Sequence, residues 1–329
     1  MLVQNKNDSR QIEINFIKGE HAAHGMTECM LSAYGNSGNY FNPGMFDEEH
    51  IKSEIKAGSL DVFLGETEDG TPLTTLSARR NPFFEQSLEL CSLAVNKDYR
   101  GLNLGAVTIN HLVNEFKKSI LYARVVTIHT LVADVLESHG LLPFGFTFGV
   151  FNAKKHLNEL NLKSEKISLG IYVRNNGQST VKPLYIPEKL AQFTQERYSA
   201  LGITAEINNK KVQPGEKTQT EYLQDEYNLA LSIFVFKCGQ DLTERIGEIE
   251  KSYTSRLQTF DLYLNINEPS AVYGYEALVK AGYKFAGLMP LCGEYEYIIM
   301  SKLNDVFIDT SELVMTEKLT NVFERIIEL

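Results

Sequence analysis

Residues 87–106, SLELCSLAVNKDYRGLNLGA, decide how this chain is read. The run LELCSLAV (88–95) is apolar and strand-like. DYRGLNLGA (98–106) then sets an arginine, two glycines and a small residue into a turn. An amphipathic run starts at once, with Ile109, Leu112, Val113, Phe116 and Ile120 at helical spacing. A diphosphate needs successive backbone N–H groups converging at a helix N-terminus. Glycines allow that close approach and a positive φ, and Arg100 can add a charge-assisted bond. A tight strand-to-helix turn uses glycine for purely steric reasons, so the stretch alone leaves both readings open.

Working outward, QIEINFIKG (11–19) alternates as a strand, and a helix is predicted near 20–34. The loop YGNSGNYFNPG (34–44) breaks it with three glycines and a proline, and a second helix covers 47–57. A hairpin follows, strand 60–66, turn Asp69-Gly70, strand 72–80, and then strand 87–95. Beyond the amphipathic helix come a strand at 123–132, a helix near 134–142, the strand GFTFGVFN and a strand at 167–174. NNGQSTVKP (175–183) is the most linker-like stretch. After it the pattern predicts helices at 187–201, 240–251, 270–281 and 311–328, with strands at 228–237, 258–265, 283–290 and 294–303. Helices mixed with a largely consecutive sheet make an α/β protein. A faint internal repeat aligns Gly145-Phe146-x-Phe148 with Gly282-Tyr283-x-Phe285, each after a helix.

At 329 residues the chain is long enough for two domains. Its 42 acidic and 32 basic residues leave a net charge of −10, and basic residues cluster only in pairs. Phosphate binding along a nucleic acid needs more than that, so no nucleic-acid partner is expected. Four scattered cysteines form no CxxC pair, and no metal site is expected. With neither a signal-peptide pattern nor an apolar run near 18 residues, a cytoplasmic protein without a membrane partner is expected.

The residues around the opening stretch resemble the GNAT acetyltransferase family. Leu93-Ala94-Val95 ends a strand, Tyr99-Arg100-Gly101 follows, and Asn103-Leu104-Gly105 opens the helix, with Gly145-Phe146 downstream. The likeness covers roughly residues 11–174. It implies a backbone at Leu93, Ala94 and Val95 that pairs with the pantetheine arm of acetyl-CoA or another acyl-CoA. It also implies that the amides of Arg100, Gly101, Leu102, Asn103, Leu104, Gly105 and Ala106 hold the pyrophosphate. The second half resembles a degenerate member of a tandem bacterial subgroup. Tyr172-x-Arg174, Ile186-Pro187-Glu188 and Gly239-Gln240-Asp241-Leu242 carry that likeness, together with Gly282-Tyr283. Two tandem GNAT-like domains are therefore expected, 1–180 and 181–329, each a mixed, mainly antiparallel sheet flanked by helices. CGQDL lacks the Arg-Gly-x-x-x-Gly cradle. Two departures from the family stand in the first half. Asn103 replaces a glycine, and Leu141 stands where many members place a general-acid Tyr four residues before the Gly-Phe pair.

The implied reaction moves an acyl group to a small-molecule or peptide amine, in a protein that could be a homodimer. The rival readings are a CoA-binding sensor or scaffold and another thioester reaction on the same fold. Glu89, on the strand that leads into the cradle, can accept the amine proton, or is simply an exposed strand carboxylate. His129 on the next strand can act as base or acid, or be structural. Tyr40, with Tyr34, offers a phenol donor from the loop over the acceptor pocket, or packs that loop. Ser138 can position the cofactor, or cap a helix. Cys91 reads as a buried apolar thiol.

Overall fold

The computed structural model describes residues 2–4, 11–35, 40, 42–152, 159–177, 183–253 and 255–329. Residues 36–39 and 41 of the glycine-rich loop, 153–158 of the charged stretch and 178–182 of the linker-like segment lie outside these. β1 (Leu2–Gln4) pairs with β2 (Gln11–Glu13) apart from the main sheet, which β3 (Asn15–Lys18) enters at its edge. The first half continues through α1 (Ala23–Tyr34), α2 (Glu48–Lys56), β4 (Leu60–Glu66), β5 (Pro72–Arg80) and β6 (Ser87–Val95). It closes with α3 (Leu104–Glu115), β7 (Ile120–Val126), α4 (Leu131–Ser138), β8 (Leu142–Phe151) and β9 (Ile167–Arg174). The second half opens with β10 (Leu184–Tyr185), α5 (Glu188–Ala200) and β11 (Ile207–Asn208). It then runs through β12 (Gln219–Asp225), β13 (Ala230–Lys237), α6 (Leu242–Tyr253) and β14 (Thr259–Asn265). α7 (Ala271–Lys280), β15 (Lys284–Met289), β16 (Tyr297–Leu303) and α8 (Glu317–Glu328) complete it.

Local chemistry explains several of these ends. Asp47 caps α2 by accepting from the N–H groups of Glu49 and His50. Gly70, at φ 83°, closes the β4–β5 hairpin. The apolar stripe of α3 buries Ile109, Leu112 and Val113. Strand 123–132 and helix 134–142 shift relative to expectation: β7 ends at Val126 and α4 starts at Leu131. β12, QTEYLQD, shows no burial on alternate residues because it is an exposed edge strand, so the hydrophobic pattern missed it.

One twelve-stranded, mainly antiparallel sheet runs through both halves, in the order β12-β13-β14-β16-β15-β8-β9-β7-β6-β5-β4-β3. The halves repeat one topology. β6 lies parallel to β7, and β9 is inserted between β7 and β8. Likewise β13 lies parallel to β14, and β16 is inserted between β14 and β15. The sequence alignment of the repeat is corrected here. Gly140 (φ 78°) and Gly282 (φ 92°) are the residues that close α4 and α7. Behind them Leu141 N–H bonds Leu136 C=O, and Tyr283 N–H bonds Leu278 C=O, each at 3.1 Å. Gly282 therefore matches Gly140, and Gly145 matches Gly287.

Those last two glycines face each other where the half-sheets join, β8 against β15. A Cβ on Gly145 would lie 2.6 Å from the Ala286 carbonyl oxygen and 2.7 Å from the Gly287 Cα. Backbone on both sides cannot yield cheaply. Gly145→Val is expected to cost about 3 kcal/mol or more through overpacking. Chemical denaturation checks this; an unchanged midpoint would mean that the junction tolerates separation.

Candidate active site

β6 leads into a loop that two leucines hold down. Leu102 and Leu104 are buried in a small core with Ile14 and Leu73, while Gly101 before them and Asn103 between them are exposed. Gly101 has φ 88°, and Asn103 is left-handed at φ 58°, ψ 23°. Asn tolerates that conformation better than most residues, which is how the chain manages without a glycine there. No side chain caps α3 at Asn103. Its first amides are thus left without a side-chain cap, a place that an anion can take. A Cβ built on Gly105 meets nothing closer than 3.7 Å within the chain. Arg100 sends one guanidinium N–H to the Ala33 carbonyl at 3.2 Å.

Upstream, β6 and β7 part company. Their parallel pairing runs from Ser87↔Ile120 to Leu90↔Ala123 and stops. A bulge follows, in which Ser92 adopts φ 59° and the β5–β6 register shifts. On its β7 side, β6 from Cys91 to Val95 has no strand partner among the described residues. Tyr34 Oη donates to the Leu93 carbonyl at 3.0 Å, and Tyr40 Oη donates to Ser92 Oγ at 3.2 Å. The Leu93 oxygen keeps a second lone pair. Burial pushes the Tyr34 phenol up to about 12 and the Tyr40 phenol well above its ordinary value, so both remain donors at neutral pH.

Beside the bulge lies a cavity of about 550 Å³. Glu89, Cys91 and Ser92 of β6 face it, with Arg124 of β7 and Arg79 of β5. Glu89 is 3% exposed, accepts from Arg124 Nε at 2.8 Å and from Tyr122 Oη at 3.2 Å, and is a buried carboxylate rather than a surface one. Arg79 is paired bidentately with Glu54 at 2.7 and 2.9 Å. Residues 224–228, the β12–β13 turn of the second half, form the opposite wall. Cys91 is half-buried, lines this cavity and also packs against the apolar core under α1, and burial pushes its thiol up to about 11.

Other expected residues lie elsewhere. His129 sits past the end of β7, in the loop to α4, and does not line the cavity, so its assignment to a strand is corrected. Ser138 ends α4, exposed, with its hydroxyl bonded back to the Val135 carbonyl at 2.7 Å. Since Gly140 closes α4, the position four residues before the helix-terminal glycine is Leu136; both Leu136 and Leu141 are buried and neither can supply a proton. Sequence reasoning missed Arg124, Tyr122, Ser92 and Arg79. A lone arginine inside the apolar run ILYARVV was the available signal for the first.

The sequence model of the acetyltransferase (GNAT) family matches residues 30–146, which span the cradle, the bulge and Glu89. That match makes this region GNAT-like. The family draws its acyl group from acyl-CoA, and the uncapped amides at Gly101–Gly105 suit such an anion. Solved structures resemble about half of the chain at low identity. They include ribosomal-protein-alanine N-acetyltransferase from Brucella melitensis (19% identity, 49% of this chain and 98% of that one, TM-score 0.39). Ribosomal-protein-S18-alanine N-acetyltransferase from Escherichia coli gives 14%, 49%, 92% and 0.38. The Salmonella typhimurium protein yncA, solved with its cofactor acetyl-CoA, gives 16%, 52%, 96% and 0.40. No curated protein sequence matches the chain. Among the described residues no helix is long and apolar enough to cross a membrane.

Where the first half leaves the amides at the start of α3 uncapped, the second half fills the corresponding place. Gly239 N–H donates to Thr218 Oγ1 at 2.9 Å, and Gln240 N–H donates to the Gly215 carbonyl at 2.8 Å. A Cβ on Gly239 would lie 2.3 Å from the Lys217 carbonyl carbon. β13 and β14 also stay paired from Ala230↔Thr259 to Val235↔Leu264, without the early parting of β6 and β7.

A buried polar cluster ties the halves together behind the cavity. Lys166 Nζ donates to the Asn228 carbonyl at 2.6 Å and to Thr259 Oγ1 at 3.2 Å, and Asp261 accepts from Ser301. Burial raises the Asp261 carboxyl to about 7 and lowers the Lys166 ammonium to about 8. Folded Asp261 therefore holds a proton that the unfolded chain releases near its ordinary value. Its contribution to stability falls as pH rises from about 4 to 7, by on the order of 4 kcal/mol, and is flat above. Asp261→Asn should remove this limb and be more stable than the parent at pH 8. Denaturation midpoints at pH 5 and pH 8 check it; parallel shifts in both proteins would exclude Asp261.

Proposed function

We propose that the chain transfers an acetyl or other acyl group from acyl-CoA to an amine acceptor, a small molecule or a peptide amine, in the cytoplasm. The observation that carries this reading is one continuous path. The uncapped start of α3 leads along the unpaired edge of β6 to a cavity with a buried carboxylate at its wall. When bound, acyl-CoA supplies an activated carbonyl carbon. The amides from Arg100 to Ala106 hold the pyrophosphate, and Leu93 to Val95 align the pantetheine arm. Glu89, oriented by Arg124 and Tyr122, takes the proton from the attacking amine, directly or through water. We assign residues 1–180 as the catalytic domain. The domain at 181–329 acts through its 224–228 turn, which completes the acceptor wall.

Calorimetry with acetyl-CoA tests the first part, and thiol release across a panel of amines tests the second. Absence of acetyl-CoA binding would exclude the transferase reading and the sensor reading together. Binding without thiol release would favour the sensor, which the apolar residues at Leu136 and Leu141 make the specific rival.

A further inference from the structure

We propose that Ser92 is the group that stabilises the departing CoA thiolate, with Tyr40 as the residue that positions it. The inference rests on the acyl-CoA reading of the cradle and goes beyond it, because neither Leu136 nor Leu141 can supply a donor. Along a regular strand, Glu89 and Cys91 share one face and residue 92 points to the other. The bulge reverses this: at φ 59° Ser92 joins Glu89 and Cys91 on the cavity wall. It is 4% exposed and adjoins the unpaired edge of β6.

Its hydroxyl is also oriented. Tyr40 Oη donates to Ser92 Oγ, occupying one of its lone pairs. The proton of Ser92 itself meets no oxygen acceptor among the described residues; its neighbour is the Cys91 thiol. With Tyr40 behind it and only the weakly accepting Cys91 thiol beside it, the Ser92 donor can turn to an arriving negative charge. A departing thiolate needs a hydrogen bond more than a strong acid, because thiols ionise near 8.5, well below a buried phenol. In the step, the amine nitrogen bonds to the carbonyl carbon and the carbon–sulfur bond breaks. The sulfur leaves with the bonding pair, stabilised by Ser92 O–H, and Glu89 takes the amine proton. Solvent then protonates the sulfur on release, and Glu89 returns its proton to solvent.

The test reads the CoA thiol itself. CoA is bound to the full-length protein and its thiolate absorbance is followed against pH, in the parent and in Ser92→Ala. The thiolate should be favoured about tenfold more in the parent than in Ser92→Ala, as befits a charge-assisted hydrogen bond. Tyr40→Phe should shift it less, in the same direction. Turnover in Ser92→Ala should fall roughly 100-fold with KM for acetyl-CoA unchanged. Ser92→Asn, which tolerates the left-handed backbone and keeps a donor, should recover much of it. Identical thiol titrations in parent and Ser92→Ala, both binding CoA, would overturn the role of Ser92 alone. Failure of the parent to bind CoA would overturn the cradle reading as well.

Discussion

Gly105→Glu is expected to abolish acetyl-CoA binding while the protein stays folded. The first atom of the new side chain has room, since a Cβ at this position lies 3.7 Å from its nearest neighbour. A carboxylate in the first turn of α3 also suits the helix dipole, so the helix itself is not weakened. The loss falls on the ligand. At about 4 Å and an effective dielectric near 20, a carboxylate beside one phosphate charge costs about 4 kcal/mol, close to a thousandfold in affinity. Calorimetry with acetyl-CoA reads this directly, and a melting curve confirms the fold. Gly105→Ala serves as the partner variant and should bind far better. An affinity for acetyl-CoA unchanged in Gly105→Glu would show that the pyrophosphate lies elsewhere.

Glu89→Gln is expected to lower kcat by roughly 100- to 10,000-fold, the range for removal of a general base. Arg124 and Tyr122 hold the two Glu89 oxygens at 2.8 and 3.2 Å; the amide keeps one oxygen for Arg124, and its NH2 can donate to the Tyr122 hydroxyl, which also accepts. The acceptor should therefore still bind, and the loss should sit in kcat. A stability measurement separates catalysis from damage, since leaving Arg124 without its charge partner also costs stability. Full turnover in Glu89→Gln would remove Glu89 from the chemistry and leave the cavity without a base.

The backbone geometry at the start of α3 was legible because it is local. Arg100, Gly101, Asn103 and Gly105 fall within a few residues, and backbone conformations at such spacing follow from residue type. Asn103 is the clearest instance: its tolerance for the left-handed region was a statement about one side chain, and the backbone is left-handed there. The repeat was legible in kind but not in register. Gly145 and Gly140 both follow a helix, and only the hydrogen bond from Leu141 N–H to Leu136 C=O identifies Gly140 as the helix end. The edge strand β12 was invisible because an exposed strand need not alternate.

By itself, then, the sequence determined a mixed α/β chain, one glycine-bearing helix start fit for an anion and a second half without that motif. Each of these depends on residues close together along the chain. Only the tertiary structure decided which groups meet in the cavity. Glu89 finds Arg124 across a parallel strand pair, Tyr40 reaches Ser92 from a loop, and the 224–228 turn closes the wall from the other half. It also decided why the second half lacks a cradle, since residues 215–218 already occupy its amides. The reason is physical: these contacts join residues dozens to more than a hundred positions apart, and strand pairing, not local propensity, sets such distances.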